Sequence, residues 1–579
     1  MKSTVTNAVG ITVLEPIDNN YKTGGGDINI SGCLVYATKG KPFEAMKVYG
    51  NTSDLTDYFG TPLPKKSEGM EGLRHVQDAT EGCSYVQVIR VVDDSYRFPA
   101  IAFLLTNNEP AAWKDGKAYK IGDLVTEAEK TWICAEDHKA TVDLTPGTEG
   151  GNTVWLEYTG PVENSAYRYN DQLVASEGYC MIVYPVDGDA SKNRKVRITD
   201  VDTEKHRFTL EFSDVDSAGE EYVLERHEVG VTEDDKDDMG ISAYAETVLE
   251  RDSKRFRVAL LDGIEWADIE TALLAVESTR TVDNPFAFVG GVSGGYPDTQ
   301  TWLKGVQLLR NERMPLNMIF AAGIYDADVI TAMADCADFR HIAFFYDIPG
   351  SLKYDEAIEW NQTIGLRSRH ARAYYCPYSA HDIFRDGQTV WGVSGAAATA
   401  RARGNSIQNT KSVWGVHYSP AGEKRGYLSR TNMVALFPDD VLDRDALYDA
   451  RINPVVDMAA GGCNIDDDMT QWFQTNYLRF GWINDVLDYI DHRFVEGASQ
   501  LKFEPQGLTL RGLQDMLTQI MEDLVTSEAL VVPTDTAKDG TDPYIIRVKQ
   551  EEKDYFSAEW EVCISGAARR IAGQPMLIR

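Results

Sequence analysis

A G-x-S-x-G string, Gly291-Val292-Ser293-Gly294-Gly295, follows a strand-like run and is the pattern that could present a serine nucleophile. Such a serine needs a sharp strand-to-helix turn to expose its hydroxyl, and Tyr296, Pro297 and Asp298 delay the next helix. His341, His370 and His381 lie downstream, none in a context that marks a general base. Hydrolysis is therefore not expected. No GK[ST] follows a glycine run, so no phosphate loop is expected. The acidic strings Thr232–Gly240 and Ile465–Asp468 lack EF-hand spacing and read as solvated loops. Cys33, Cys83, Cys134, Cys180, Cys336, Cys376, Cys463 and Cys563 are scattered, without a CxxC pair or zinc-ligand spacing. They read as free, mostly buried thiols in a reducing compartment. The expectation is no catalytic residue, no metal and no cofactor, hence a protein that is not an enzyme.

A second group of residues could bind without reacting. Between Pro110 and Tyr158, Trp113, Tyr119, Gly122, Val125, Trp132, Pro146 and Trp155 are spread over short strand-like runs separated by turn residues. The segment resembles the small chitin-binding modules found on glycoside hydrolases. That resemblance implies that Trp113, Tyr119, Trp132 and Trp155 stack on a sugar face. The opposing arrangement has the same tryptophans filling a core too small to be built from aliphatic residues.

Charge narrows the partners. The 579 residues carry 90 acidic against 57 basic side chains, a formal net of −33, which disfavours a nucleic-acid surface. No apolar stretch approaches the roughly 18 residues of a membrane span. MKSTVTNAVGITVLEP has one lysine and no apolar core, so no secretory signal is expected. From Asp200 to Gly240 there are fifteen acidic and four basic side chains. From Gly392 to Arg430 the balance reverses: Arg401, Arg403, Lys411, Lys424, Arg425 and Arg430 face only Glu423. Acidic residues return at Asp439, Asp440 and Asp443. In a molecule that meets copies of itself, basic and acidic patches of this kind are plausible mates.

At this length about four domains are expected. Val9, Ile11 and Val13 alternate with small or polar residues ahead of Gly24-Gly25-Gly26, a short strand on a glycine tether. Ile28–Thr38 and Ser84–Val92 read as strands. Val162–Arg251 is β-rich and acidic. From Phe256 to Tyr378 unbroken apolar strands alternate with amphipathic helices, the pattern of an α/β sheet covered on both faces. The last third holds the small-residue run GVSGAAATARARG, two long helical stretches, a strand at Trp560–Ile564 and the tail ARRIAGQPMLIR.

Taken in order, SGCLVYATKGKPFEAMKVYGNTSDLTDYFG, GCSYVQVIRVV, the α/β region, GVSGAAATARARGNSIQNTKSVWGVHYSPAG and the C-terminal helix pair, strand and tail resemble the contractile tail sheath family. The resemblance covers Ile28–Arg97 and Phe256–Arg579; the start NAVGITVLEP departs from the family's Pro-Gly-Val-Tyr-like opening. It implies a multidomain α/β fold: a subtilisin-like α/β sheath core, a C-terminal α+β sheath domain and inserted β-rich surface domains. The expected division is a linking arm at 1–26, core at 27–105, the chitin-binding-like module at 106–160, an acidic β domain at 161–252, core again at 253–385 and the C-terminal sheath domain at 386–579. The subtilisin label concerns topology alone, since fold does not carry function.

The resemblance further implies a subunit that polymerises as stacked hexameric rings around a tail tube and contracts to drive the tube through a host envelope during genome ejection. Its partners would be itself, the tail tube protein, and baseplate and tail terminator proteins, with a surface glycan at the inserted module. It would neither bind nucleic acid nor insert into a membrane, and would work in the virion after assembly in the host cytoplasm. Strand exchange between subunits would use Val9, Ile11 and Val13 and, at the other end, Met576, Leu577 and Ile578. Arg511, on the amphipathic stretch Thr509–Leu524, would face the tube. The alternatives are a carbohydrate-binding surface protein on a virion, or the sheath of a non-phage contractile injection system.

Overall fold

The computed structural model describes residues 28–569 except 51, 105–110, 121–122, 158–161, 169–172, 176–178, 187–193, 216–218, 254, 280–285, 408–414, 440 and 460. The strand-exchange candidates Val9, Ile11, Val13, Met576, Leu577 and Ile578 all lie outside the described residues, as do Lys411 and Asp440.

Apolar strands with no polar alternation demand cover on both faces, and the main sheet has it. Its eight strands run in the order Ala45–Val48, Tyr85–Arg90, Ile30–Val35, Met318–Phe320, Ala343–Ile348, Ala371–Tyr375, Ile452–Asp457 and Cys463–Ile465. The six inner strands are parallel, and the two edge strands are antiparallel. The pleat sends alternate side chains to opposite faces. Cys33 and Val35 enter one apolar layer with Phe320 and Phe345, while Leu34 enters the other with Ile319 and Phe344. One layer is covered by helix Gly72–Thr80 and the small-residue helix Ser394–Asn405, the other by Thr299–Leu309 and Ala327–Arg340.

The sheet draws strands from beyond the expected core. Ile452–Asp457 and Cys463–Ile465 come from the stretch assigned to the C-terminal domain. Conversely, Phe256–Leu260, expected to open the second α/β block, pairs with Tyr179–Pro185 in a four-stranded sheet of the insertion, together with Phe98–Leu104 and Val162–Tyr167. Phe286–Ala287 likewise joins the acidic sheet of Lys195–Asp202, Arg207–Val215 and Glu221–Val229. The physical reason is a shared core: Ile101, Val183, Phe212 and Phe256 pack as one cluster, with the Phe212 and Phe256 rings stacked 4.0 Å apart. The fold is mixed α/β with several sheets and several cores.

After the main sheet the chain forms the antiparallel helix pair Gly481–Gln500 and Gln506–Thr526. The hairpin Tyr544–Gln550 and Phe556–Val562 lies on it. No helix among the described residues is long and apolar enough to cross a membrane.

Candidate functional site

The serine reading fails at Ser293 and finds a different serine. Val292 and Arg97 exchange backbone hydrogen bonds in an isolated bridge, and the next helix begins only at Thr299, so Ser293 does not sit on a sharp strand-to-helix turn. Ser394, at the start of helix Ser394–Asn405, instead stands with its hydroxyl 3.2 Å from His75 Nδ1. His75 Nε2 lies 3.3 Å from Glu71 Oε2 and 3.7 Å from Asp347 Oδ2. Serine, histidine and carboxylate therefore meet, but as a sealed knot. His75 and Ser394 are fully buried, and Gly395 sits so close that a Cβ there would collide with the His75 carbonyl oxygen. Asp347 Oδ1 accepts from the backbone N–H of Val393 at 2.5 Å and of Ser394 at 2.9 Å. Those are the donors an oxyanion would need, and a carboxylate already holds them. Burial pushes the Asp347 carboxyl above its usual range. This cluster fastens Glu71 and His75 of the first block to Asp347 and Ser394 of the second. It does not offer acyl transfer.

The basic run is also turned inward. Arg401 is buried, its Nε 3.0 Å from Asp485 Oδ2 and its Nη2 donating to the Val416 carbonyl. Arg430 meets Asp78 at 2.5 Å and lies 4.1 Å over the Trp391 ring. Arg403 donates to the Tyr427 carbonyl, and Arg425 to that of Ser419. Arg401 and Arg430, expected at a contact between subunits, thus have their charges paired inside the subunit. Lys424, Asp439 and Asp443 are exposed, although Asp443 also caps the short helix Arg444–Asp449 through the N–H groups of Asp445 and Ala446.

Arg401 belongs to an ionic seam. Helix Gly481–Gln500 places Asp485, Asp488, Asp491 and His492 on one face by helical spacing. Asp485 also receives Arg372 at 2.5 Å, and Arg372 bonds Asp468 at 2.9 Å. Asp488 Oδ1 is shared by Arg369 at 3.0 Å and His370 Nε2 at 3.1 Å. His341 Nδ1 reaches Asp491 at 3.0 Å, and His492 bonds the Arg340 carbonyl. Burial alone would lower the His370 imidazolium, but its hydrogen bonds to Asp338 and Asp488 outweigh that and raise it above the ordinary histidine value. Asp468, fully buried, is pushed up to about 6 by desolvation despite Arg372. His341, Asp488 and Asp491 have metal-like spacing. The Arg369 guanidinium already lies against both of those carboxylates.

The hairpin beyond the seam has the opposite character. Tyr544, Ile546, Trp560 and Val562 turn toward Ile490, Ile520, Met521 and Leu524 of the helix pair, while Ile545, Arg547, Lys549, Glu559 and Glu561 face out. Among the described residues, Tyr544–Gln550 pairs only with Phe556–Val562, whose own outer side gains one flank where Leu530 bridges Ile564. Two strands of seven residues thus keep open edges. Arg511 is exposed on helix Gln506–Thr526, and Leu513, Leu517, Ile520 and Leu524 of the same stripe are buried.

In the small module Trp155, Tyr119 and Trp132 are buried, and the Tyr119 and Trp155 rings meet edge to face at 5.0 Å. Trp155 Nε1 donates to the Leu144 carbonyl, and the Tyr119 hydroxyl accepts from the Lys114 N–H. Three of the four aromatics expected to stack on sugar are therefore core; Trp113 alone of the four is half-exposed.

Residues 112–156 match carbohydrate-binding module family 5/12. No curated protein matches the chain. Among solved structures, the sheath tail protein from Desulfitobacterium hafniense is 11% identical with a TM-score of 0.47, over 93% of this chain and 97% of that one. The PVC sheath of an extracellular contractile injection system, in its contracted state, is 15% identical with a TM-score of 0.38, over 47% of this chain and 74% of that one. The contracted helical sheath of the anti-feeding prophage is 16% identical with a TM-score of 0.36, over 49% and 78%. The structural neighbours of this chain are tail sheath proteins, and its inserted module is similar to carbohydrate-binding family 5/12.

Proposed function

We propose that the chain is the structural subunit of a contractile tail sheath, stacking as hexameric rings around a tail tube and shortening to drive the tube through a host envelope. One observation carries this reading: a hairpin fixed on a helix pair, with open strand edges. An isolated pair of strands is marginal, and a bare edge of ~20 Å is a template for another chain. Val9, Ile11 and Val13, or Met576, Leu577 and Ile578, of an adjacent copy would complete it by β-augmentation. Each subunit then stays tethered while its bodies repack, and a heterologous contact repeated without closure builds a tube. The work of contraction would come from new contacts between subunits. Lys424, Asp439 and Asp443, exposed on the subunit, are candidates for charge pairing between copies, and Arg511 for the tube. Baseplate and terminator proteins would close the ends of this virion component.

Negative-stain microscopy of the purified protein tests the reading: long hollow cylinders are expected, and particles that stay monomeric at every salt and concentration would contradict it. The match at residues 112–156 favours a secondary role in glycan contact for the inserted module, with Trp113 as the ring available for it.

A further inference from the structure

A cavity of about 430 Å³ opens at the carboxyl ends of Ala371–Tyr375 and Ile452–Asp457, lined by Tyr375, Tyr378, Phe437, Pro438, Leu442 and Arg444, among others. It is mixed in polarity, with Arg444, Asp457 and the two tyrosine hydroxyls set among Pro377, Ala435, Phe437, Pro438, Leu442 and Val456. Aromatic, proline and leucine walls with an arginine and Asp457 at the edge suit an extended apolar peptide with a basic flank.

The end of the described chain is fixed next to an acid that pairs with a lining arginine. Arg569 Nε donates to Asp467 Oδ1 at 2.9 Å, and its guanidinium lies 4.9 Å from the Tyr448 ring and 5.0 Å from that of Phe480. The adjacent Asp466 pairs at 3.2 Å with Arg444, which itself lines the cavity. Beyond Arg569 the sequence reads Arg-Ile-Ala-Gly-Gln-Pro-Met-Leu-Ile-Arg. Seven to nine extended residues span ~25–30 Å, ample from an anchor one residue and one ion pair away. Pro575 disfavours helical backbone at Gln574, and Met576, Leu577 and Ile578 supply the apolar side chains. Arg570 and Arg579 match the exposed acids Asp439 and Asp443 beside Leu442.

We infer that, in the unassembled subunit, residues 574–578 of the chain's own tail dock in this cavity. The anchor at Asp467 favours the chain's own tail over a neighbour's, because a tether of this length sets a local concentration of the order of millimolar. The consequence rests on the sheath reading above: a parked tail is withheld from open edges on other copies until assembly draws it out.

The test uses the full chain with a benzophenone photo-crosslinker at position 576, irradiated in dilute solution, with products mapped by mass spectrometry. Crosslinks within one chain to segments holding Tyr378, Phe437 or Leu442 are expected. Their yield should fall at least ten-fold in a Leu442→Asp background. Crosslinks confined to the Tyr544–Val562 hairpin, or found only in covalent dimers, would overturn the inference, as would a yield indifferent to Leu442→Asp. Cylinder formation is scored separately. Cylinders without cavity crosslinks sink the parking alone, whereas cavity crosslinks in a chain that never forms cylinders sink the sheath reading alone.

Discussion

His370 and Asp488 meet at 3.1 Å across 118 positions of sequence, and the contact fastens the C-terminal helix pair to the end of a core strand. Arg369 shares the same carboxylate, so this joint between strand and helix is ionic.

That joint has a pH signature. The folded-state pKa of His370 is raised, so its contribution is full below the ordinary histidine value near 6.5 and is lost as pH rises through the folded value. Asp338 and Asp488 are lowered, against burial, by His370, so their contribution is lost only as pH falls below the usual carboxylate range. Thermal stability should therefore weaken as pH rises above the ordinary histidine value near 6.5 more in the natural chain than in His370→Gln. Parallel pH profiles for the two would contradict this.

Arg372 is buried between Asp468 and Asp485. Arg372→Ala leaves two buried carboxylates without that partner and should cost ~3–5 kcal/mol by denaturant unfolding. Arg372→Met combined with Asp485→Leu should recover part of that loss. A single variant as stable as the natural chain would show that the seam is open to water.

Ser394 should behave as a structural hydroxyl. Ser394→Ala is expected to cost ~1–2 kcal/mol, and an acyl-serine probe should leave both Ser394 and Ser293 unlabelled. Labelling of either serine in folded protein would restore the hydrolase reading.

In the inserted module, Trp155→Ala empties a core position and should cost ~3–5 kcal/mol, unfolding the module locally. Trp113→Ala, at a partly buried ring on the edge of the same core, should cost less stability than Trp155→Ala and remove any chitin retention. Loss of retention with Trp155→Ala alone, the module still folded, would point to a sugar face elsewhere.

Much of the main sheet is legible in the sequence because its signal is local. Unbroken apolar runs such as Ala343–Ile348, all buried, sit between amphipathic helices, and length and periodicity are enough to read them. Pairing between distant strands is not legible. Phe256–Leu260 has the same composition as a core strand, and only its register against Tyr179–Pro185 assigns it to the insertion. The hairpin strand Tyr544–Gln550 escapes a reading by pattern, although YIIRVKQ ends in the alternation of a half-covered strand. Charge misleads for a related reason. A basic run says nothing about partners far away, and Arg430 finds Asp78 across 352 positions. The serine at 394 does carry a local signal: Gly-Val-Ser-Gly opens a helix there, whereas the same four residues at 291–294 do not.

Removal of residues 1–20, or of the last six, should leave soluble monomers, because each truncation takes away one donor strand. Normal cylinders from both truncations would contradict strand exchange.

The most direct measurement is a cryo-electron microscopy map of the assembled cylinder at a resolution that traces strands. The account predicts at least one added strand along Tyr544–Gln550 or Phe556–Val562, continuous with an end of an adjacent subunit. A hairpin still two-stranded in the assembly, with both ends folded against their own subunit, would contradict it.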